Sequence, residues 1–264
     1  MKKYGWLIVP LMLMITGCPS SHETVKEKPV SRAPRMAAGP ETIIKVASLN
    51  LAKYSRRIEA DDVDRFASIL RRDTIDILAL EGITRYPDLV SRVDVVDELA
   101  LRAELRTAFG ETITISGRQG GNAVLSAYPI VSNQNTHYTG LHANDFEAAL
   151  QAVVDCGTAQ VVVVSTGIPE NAAIQDQSAV ALTLNSLRNL YVNNPMIISG
   201  NLPRADALRD ISTYDDATPA KMDDTPRVWY SIGGAIKPIR VRSERTNFGP
   251  MVVALFGLYR QPGP

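Results

Sequence analysis

From residue 43 onward, short apolar runs alternate with stretches whose apolar residues recur at helical spacing. Residues 43–51 read as a buried strand. Val63, Phe66, Ala67 and Leu70 then share one helical face behind Asp61 and Asp62, either of which can cap the first turn. Residues 75–81 predict a second strand, and Val93, Val96, Ala100 and Ala103 predict a second helix over residues 89–109. The opening is therefore β-α-β-α. Residues 112–116, 122–126, 148–155 and 160–166 follow as strands in succession, a pattern that favours hairpins and antiparallel pairing. A third helix is expected through Ala181, Leu184, Leu187 and Tyr191, and strands at Met196, Val228, Ile239 and Met251. The fold class this predicts is α/β: two mixed sheets packed as a sandwich, with helices on the outer faces.

Ahead of this region, Lys2 and Lys3 precede an apolar run from Trp6 to Ile15 that is too short to span a bilayer. Residues 1–17 read as a signal peptide. Ile15, Thr16, Gly17 and Cys18, an aliphatic residue followed by two small ones and a cysteine, resemble the lipobox of bacterial lipoproteins. The resemblance implies cleavage before Cys18 and a membrane anchor of acyl chains such as palmitate on that cysteine. Each buried methylene contributes about 0.8 kcal/mol, so several chains hold almost irreversibly. Pro19 stands where inner-membrane lipoproteins of some Gram-negative bacteria carry Asp, which points to the outer membrane, facing the periplasm or the exterior. An ordinary secretory signal and a transmembrane anchor are the alternatives.

Residues 18–41 are rich in Ser, Lys, Glu, Pro and Ala and read as a flexible tether. Extended at about 3.3 Å per residue, residues 19–40 of it reach roughly 70 Å. Residues 42–264 are one domain's worth of chain, enough to bury a core without disulfides. Only Cys156 remains besides Cys18, so no intramolecular bridge is expected. The 28 basic and 28 acidic residues cancel, and loss of Lys2 and Lys3 leaves 26 against 28, a net of −2. A nucleic-acid partner is not indicated by that balance, and Arg240, Arg242 and Arg245 fit a solvated strand face.

Several short motifs, in order, resemble the endonuclease/exonuclease/phosphatase superfamily of metal-dependent phosphodiesterases, from Lys45 to Leu258. KVASLNL looks like the first strand ending in the active-site Asn, here Asn50. DILALEGI looks like the second strand ending in the metal-binding Glu, here Glu81. GGNAVLSAYPI resembles the glycine, strand and Tyr-Pro segment, while VVVVSTGIP, MIISGNLP and TNFGPMVVALF occupy the places of the remaining motifs. Gly120 and Gly121 are also expected to supply the positive φ of a hairpin turn.

Phosphodiester hydrolysis needs Mg²⁺ on carboxylate oxygens to neutralise the phosphate, and an imidazole or second metal to steady the transition state. Proton help is typically worth about 10² to 10⁴ in rate. Here the sequence departs from the family at the reacting groups. Thr-His-Leu becomes Thr166, Gly167 and Ile168; Gly-Asp-Phe-Asn becomes Gly200, Asn201, Leu202 and Pro203; the strand that carries an Asp reads Val228, Trp229 and Tyr230; Ser-Asp-His becomes Thr246, Asn247 and Phe248. Asn50 and Glu81 survive, and His22, His137 and His142 occupy none of these positions. His137 and His142, with Asp145 and Glu147, are a further candidate metal set, and Asp206 or Asp210 would be enlisted if the register near Asn201 shifted. A solvated loop is the better reading of the histidines.

Three functions are compatible with this pattern. The first is an envelope-tethered pseudoenzyme that binds a protein or other envelope component. The second is an active phosphodiesterase or phosphatase with Mg²⁺ held through Glu81. The third binds a small apolar ligand where Trp229, Phe248 and Leu202 would converge. Asn50 and Glu81 also have purely structural readings, as a turn residue and a helix cap.

Overall fold

The first strand, β1 (Thr42–Asn50), is buried on both faces and is flanked on both sides by neighbours, which is why its sequence is almost continuously apolar. The computed structural model describes residues 39–52, 54, 57–86, 92–138, 148–168, 174–202, 213–222, 226–232 and 235–260, with backbone only at 174–177. Cys18 and the rest of the expected lipobox, His22 and nearly all of the expected tether lie outside the described residues, as do His142, Asp145, Glu147, Pro203, Asp206 and Asp210. No described helix is long and apolar enough to cross a membrane.

After β1 come α1 (Ala60–Arg72), β2 (Ile77–Arg85), α2 (Val95–Ala103), β3 (Arg106–Ile115), β4 (Arg118–Ser126) and β5 (Ile130–His137). The second half adds β6 (Ala148–Asp155), β7 (Gln160–Thr166), α3 (Ile174–Leu190), β8 (Met196–Gly200), β9 (Tyr214–Asp216), β10 (Arg227–Ser231), β11 (Ile236–Thr246) and β12 (Gly249–Leu258). Sheet one has the order β11-β12-β1-β2-β4-β3, and sheet two the order β5-β6-β7-β8-β10-β9. Each contains one parallel pair, β1 with β2 and β7 with β8, each joined through a helix. Parallel neighbours need such a crossover, and all other pairings are antiparallel. The expected sandwich of two mixed sheets is the observed one.

Three apolar layers follow from strand alternation. Val46, Ile77, Val163, Ile197 and Phe256 pack between the sheets. Leu49, Leu78 and Val253 turn the other way, against Phe66 and Leu70 of α1 and Leu99 of α2. Val162, Val164 and Ile198 pack on Leu184 and Leu187 of α3. Burying each large aliphatic or aromatic side chain contributes about 1.5–3 kcal/mol, so the 3.6-residue spacing of Val63, Phe66 and Leu70 fixes how α1 docks.

Several expectations are corrected. Helix α2 ends at Ala103 instead of Phe109, because Glu104 takes the left-handed conformation at φ 57° and Arg106 begins a strand paired with Ser126. The N-cap of α1 is Glu59; Asp62 acts from the third helical position, accepting the Glu59 amide at 3.2 Å. Strand β2 runs on past Glu81 to Arg85, and β5 and β9 were not foreseen. Gly120 and Gly121 lie inside β4, opposite Thr84 and Ile83, and the turn falls on Ser116 and Gly117 at φ 50° and 75°. What Gly121 provides is close approach: a Cβ there would stand 2.2 Å from the Gly110 carbonyl oxygen. Arg242 is bound to Asp73 and Glu244 on the exposed β11 edge, in line with a solvated face.

Candidate functional site

Because β1 and β2 are parallel, their C-terminal ends share one edge of sheet one, and Asn50 pairs in register with Glu81. The ends of β7 and β8 share an edge of sheet two in the same way. A bulge then aims Glu81. Between Leu80 and Ile83 the register with β4 shifts, and Gly82 sits at φ 63° where a Cβ would collide with Ala52 at 2.5 Å. Such a bulge re-aims a side chain without ending the strand. Glu81 is turned toward sheet two, where its Oε2 accepts the backbone N–H of Asn201 at 2.5 Å.

Position 167 belongs to the same place, since a Cβ on Gly167 would lie 3.1 Å from Glu81 Oε2. The structure thus brings together Asn50, Glu81, Gly167 and Asn201, as the motif order implies. Asn50 spends its side chain on a turn, its Oδ1 accepting the Ala52 amide at 2.8 Å. Asn201 donates from Nδ2 to the Ile168 carbonyl at 3.3 Å, while the Ile168 amide donates to the Asn201 carbonyl at 3.0 Å. The loops leaving β7 and β8 are bonded to each other, and the one after β8 also to Glu81. Glu81 caps a turn, not a neighbouring helix.

Trp229, Phe248 and Asn247 are not part of this cluster. Strand alternation sends Val228 inward and Trp229 outward, into the layer under α3 together with Leu202. Phe248 lies on the helix side of sheet one, its ring edge-on to Tyr54 and Phe66 at centroid distances of 5.0 and 5.3 Å. The expected convergence of Trp229, Phe248 and Leu202 on one pocket does not occur. Asn247 donates from Nδ2 to the Asp62 carbonyl at 3.1 Å, in the first turn of α1. His137 is exposed near Asn135 at the end of β5.

Three residues without a foreseen role close the site. Ser165 Oγ crosses from sheet two to donate to the Leu80 carbonyl at 2.9 Å. Asn122 Nδ2 crosses the other way to the Ala148 carbonyl at 3.0 Å, and its Oδ1 accepts the Gly82 amide at 3.4 Å. The Tyr138 hydroxyl bonds Thr166 Oγ1 out of solvent, and burial raises its pKa. The available signal was a polar residue inside an otherwise apolar strand run, as in NAVLS and QVVVVST. Buried polar groups of this kind persist because they are paired.

The site does not fit Mg²⁺. This ion takes near-octahedral oxygen ligands, usually carboxylates plus retained waters. Glu81 is 2% exposed, one of its oxygens is committed to Asn201, and the other has no hydrogen-bond partner among the described residues. Burial pushes its carboxyl up to about 8, against a smaller opposing effect of the Asn201 amide, so at neutral pH the group is mainly the neutral acid. Among the described residues no three of His, Cys, Asp and Glu are grouped to share a cation. What the arrangement does chemically is tie two sheets together through the Glu81 carboxyl group.

No protein-family model matches the chain, and no curated protein does. Solved structures do. The human Nocturnin catalytic domain with bound sulfate superposes with a TM-score of 0.64 at 16% identity, covering 86% of this chain and 99% of that one. An endonuclease/exonuclease/phosphatase from Beutenbergia cavernae gives 0.62 at 16% identity, covering 82% and 72%. One from Bacteroides vulgatus gives 0.62 at 11%, covering 83% and 100%. The two six-stranded mixed sheets of this chain have the fold of the endonuclease/exonuclease/phosphatase structures.

Proposed function

We propose that the chain is a membrane-anchored lipoprotein of the cell envelope, lipidated on Cys18, whose endonuclease/exonuclease/phosphatase-like domain has lost phosphodiester hydrolysis and acts by binding an envelope protein or ligand. One observation carries the loss of catalysis. The single family carboxylate that survives, Glu81, is buried, held by the Asn201 backbone amide, and pushed up to about 8. Ionising it for a metal at neutral pH costs about 1.4 kcal/mol per pH unit below its pKa, and among the described residues no three of His, Cys, Asp and Glu are grouped to share the cation. Position 167, where the family carries an imidazole, has no side chain. Fold alone does not determine activity; the site does.

The test is calorimetric titration of the full chain in detergent with Mg²⁺ and Mn²⁺, alongside hydrolysis of a generic bis-phosphodiester, with Glu81→Gln as control. Neither binding nor turnover is expected. Metal-dependent turnover lost in Glu81→Gln would establish an active phosphodiesterase instead. For the anchor, Cys18→Ser should move the chain from the membrane fraction to the soluble one and remove the acyl mass from its N-terminal peptide.

A further inference from the structure

On the opposite face of sheet one from the Glu81 side chain lies a cavity of about 320 Å³, between the starts of α1 and α2. Its size falls at the lower end for small-molecule pockets, roughly 300–1,000 Å³. The floor is apolar, made by Leu51, Ile83 and Val95 of the helix-side core. The rings of Tyr54 and Tyr86 line it, and the cations of Arg57 and Arg92 stand around it. No acidic residue among the described ones lines it.

The two arginines are held differently. Arg57 pairs with Glu59 at 3.2 Å and stays half exposed. The Arg92 guanidinium lies 5.2 Å from the centroid of the Tyr86 ring and has no carboxylate partner among the described residues. A guanidinium held over an aromatic ring by cation–π attraction still has N–H donors to offer, and their fork matches the oxygens of phosphate or carboxylate. An apolar floor with flat aromatic walls suits a ring, and a cationic rim suits an anionic substituent.

We propose that this cavity binds a small aromatic organic anion, its ring between Tyr54 and Tyr86 and its phosphate or carboxylate on Arg92. The site is distinct from the Glu81 cluster and does not depend on whether that cluster is inert.

Phenyl phosphate is the probe, titrated into the full chain in detergent by calorimetry, with inorganic phosphate, phenol and anionic phospholipid vesicles in parallel. Phenyl phosphate should bind more tightly than either of its halves. Arg92→Ala should weaken it about tenfold or more, about 1.4 kcal/mol. Arg92→Glu should abolish it, and Glu81→Gln should leave it unchanged. Amide shifts should move at Thr84 and Val95 and stay fixed at Ile168 and Ser199. Three results each overturn the proposal: no binding at millimolar phenyl phosphate, equal binding by Arg92→Glu, or binding to vesicles alone. Arg92 is exposed, so its variants test the site without threatening the fold.

Discussion

The Oε2 atom of Glu81 on sheet one accepts the backbone N–H of Asn201 on sheet two at 2.5 Å. Glu81 is thus a cross-sheet fastener. The bond is made to backbone, so it leaves the identity of side chain 201 free to change.

Stability should fall as pH rises because of this group. Folding raises the Glu81 pKa from an ordinary carboxyl value to about 8, so between about 4.5 and 8 the folded state keeps a proton the unfolded chain has released. The stabilising effect is complete below the unfolded pKa and is lost as pH rises through the folded one. The slope is about 1.4 kcal/mol per pH unit from this residue. Glu81→Gln retains a carbonyl to accept the Asn201 amide and should flatten that slope in urea unfolding followed from pH 5 to pH 8. An unchanged slope would show that Glu81 is ionised in the native state.

Gly200→Ala should be among the most damaging single changes. Gly200 has φ 152°, and a Cβ there would fall 1.6 Å from the Thr166 carbonyl oxygen and 2.8 Å from the Glu81 carboxyl carbon. A loss of about 3 kcal/mol or more is expected, as for other substitutions that combine strain with a core clash. Denaturant midpoints measure it, and a loss below about 1 kcal/mol would mean the turn can relocate.

Asn122→Ala removes the bond to the Ala148 carbonyl and the acceptor for the Gly82 amide, in a residue with no exposed surface. Leaving buried partners unpaired costs about 1–3 kcal/mol, and the bulge that aims Glu81 loses its support. Hydrogen exchange should accelerate at Gly82 ahead of the β7 amides if the two sheets are fastened here.

Cys156 should be inert in the folded chain. Burial pushes its thiol up to about 12, and it sits among the residues between the sheets. The thiolate is the reactive form, so an aromatic disulfide reagent should label position 156 only after denaturation. Labelling of the native protein at comparable rate would show that this end of the sandwich opens.

Where an element was legible in sequence, the reason is local. The continuous apolar run of β1 and the spacing of Val63, Phe66 and Leu70 each encode their own secondary structure. Helix α2 was misjudged at its end because Ala103 and Leu105 continue a helical pattern that pairing with β4 overrides. The sequence by itself also determined which chemical groups exist at positions 81, 167 and 201, since no packing can give a glycine an imidazole. Only the tertiary structure decided where side chains point. A one-residue change of register or a bulge reverses the face of every residue beyond it. That is why Glu81 is turned inward into a closed, hydrogen-bonded contact, while Trp229 and Phe248, adjacent in motif order, are buried in separate layers on opposite sides of the sandwich.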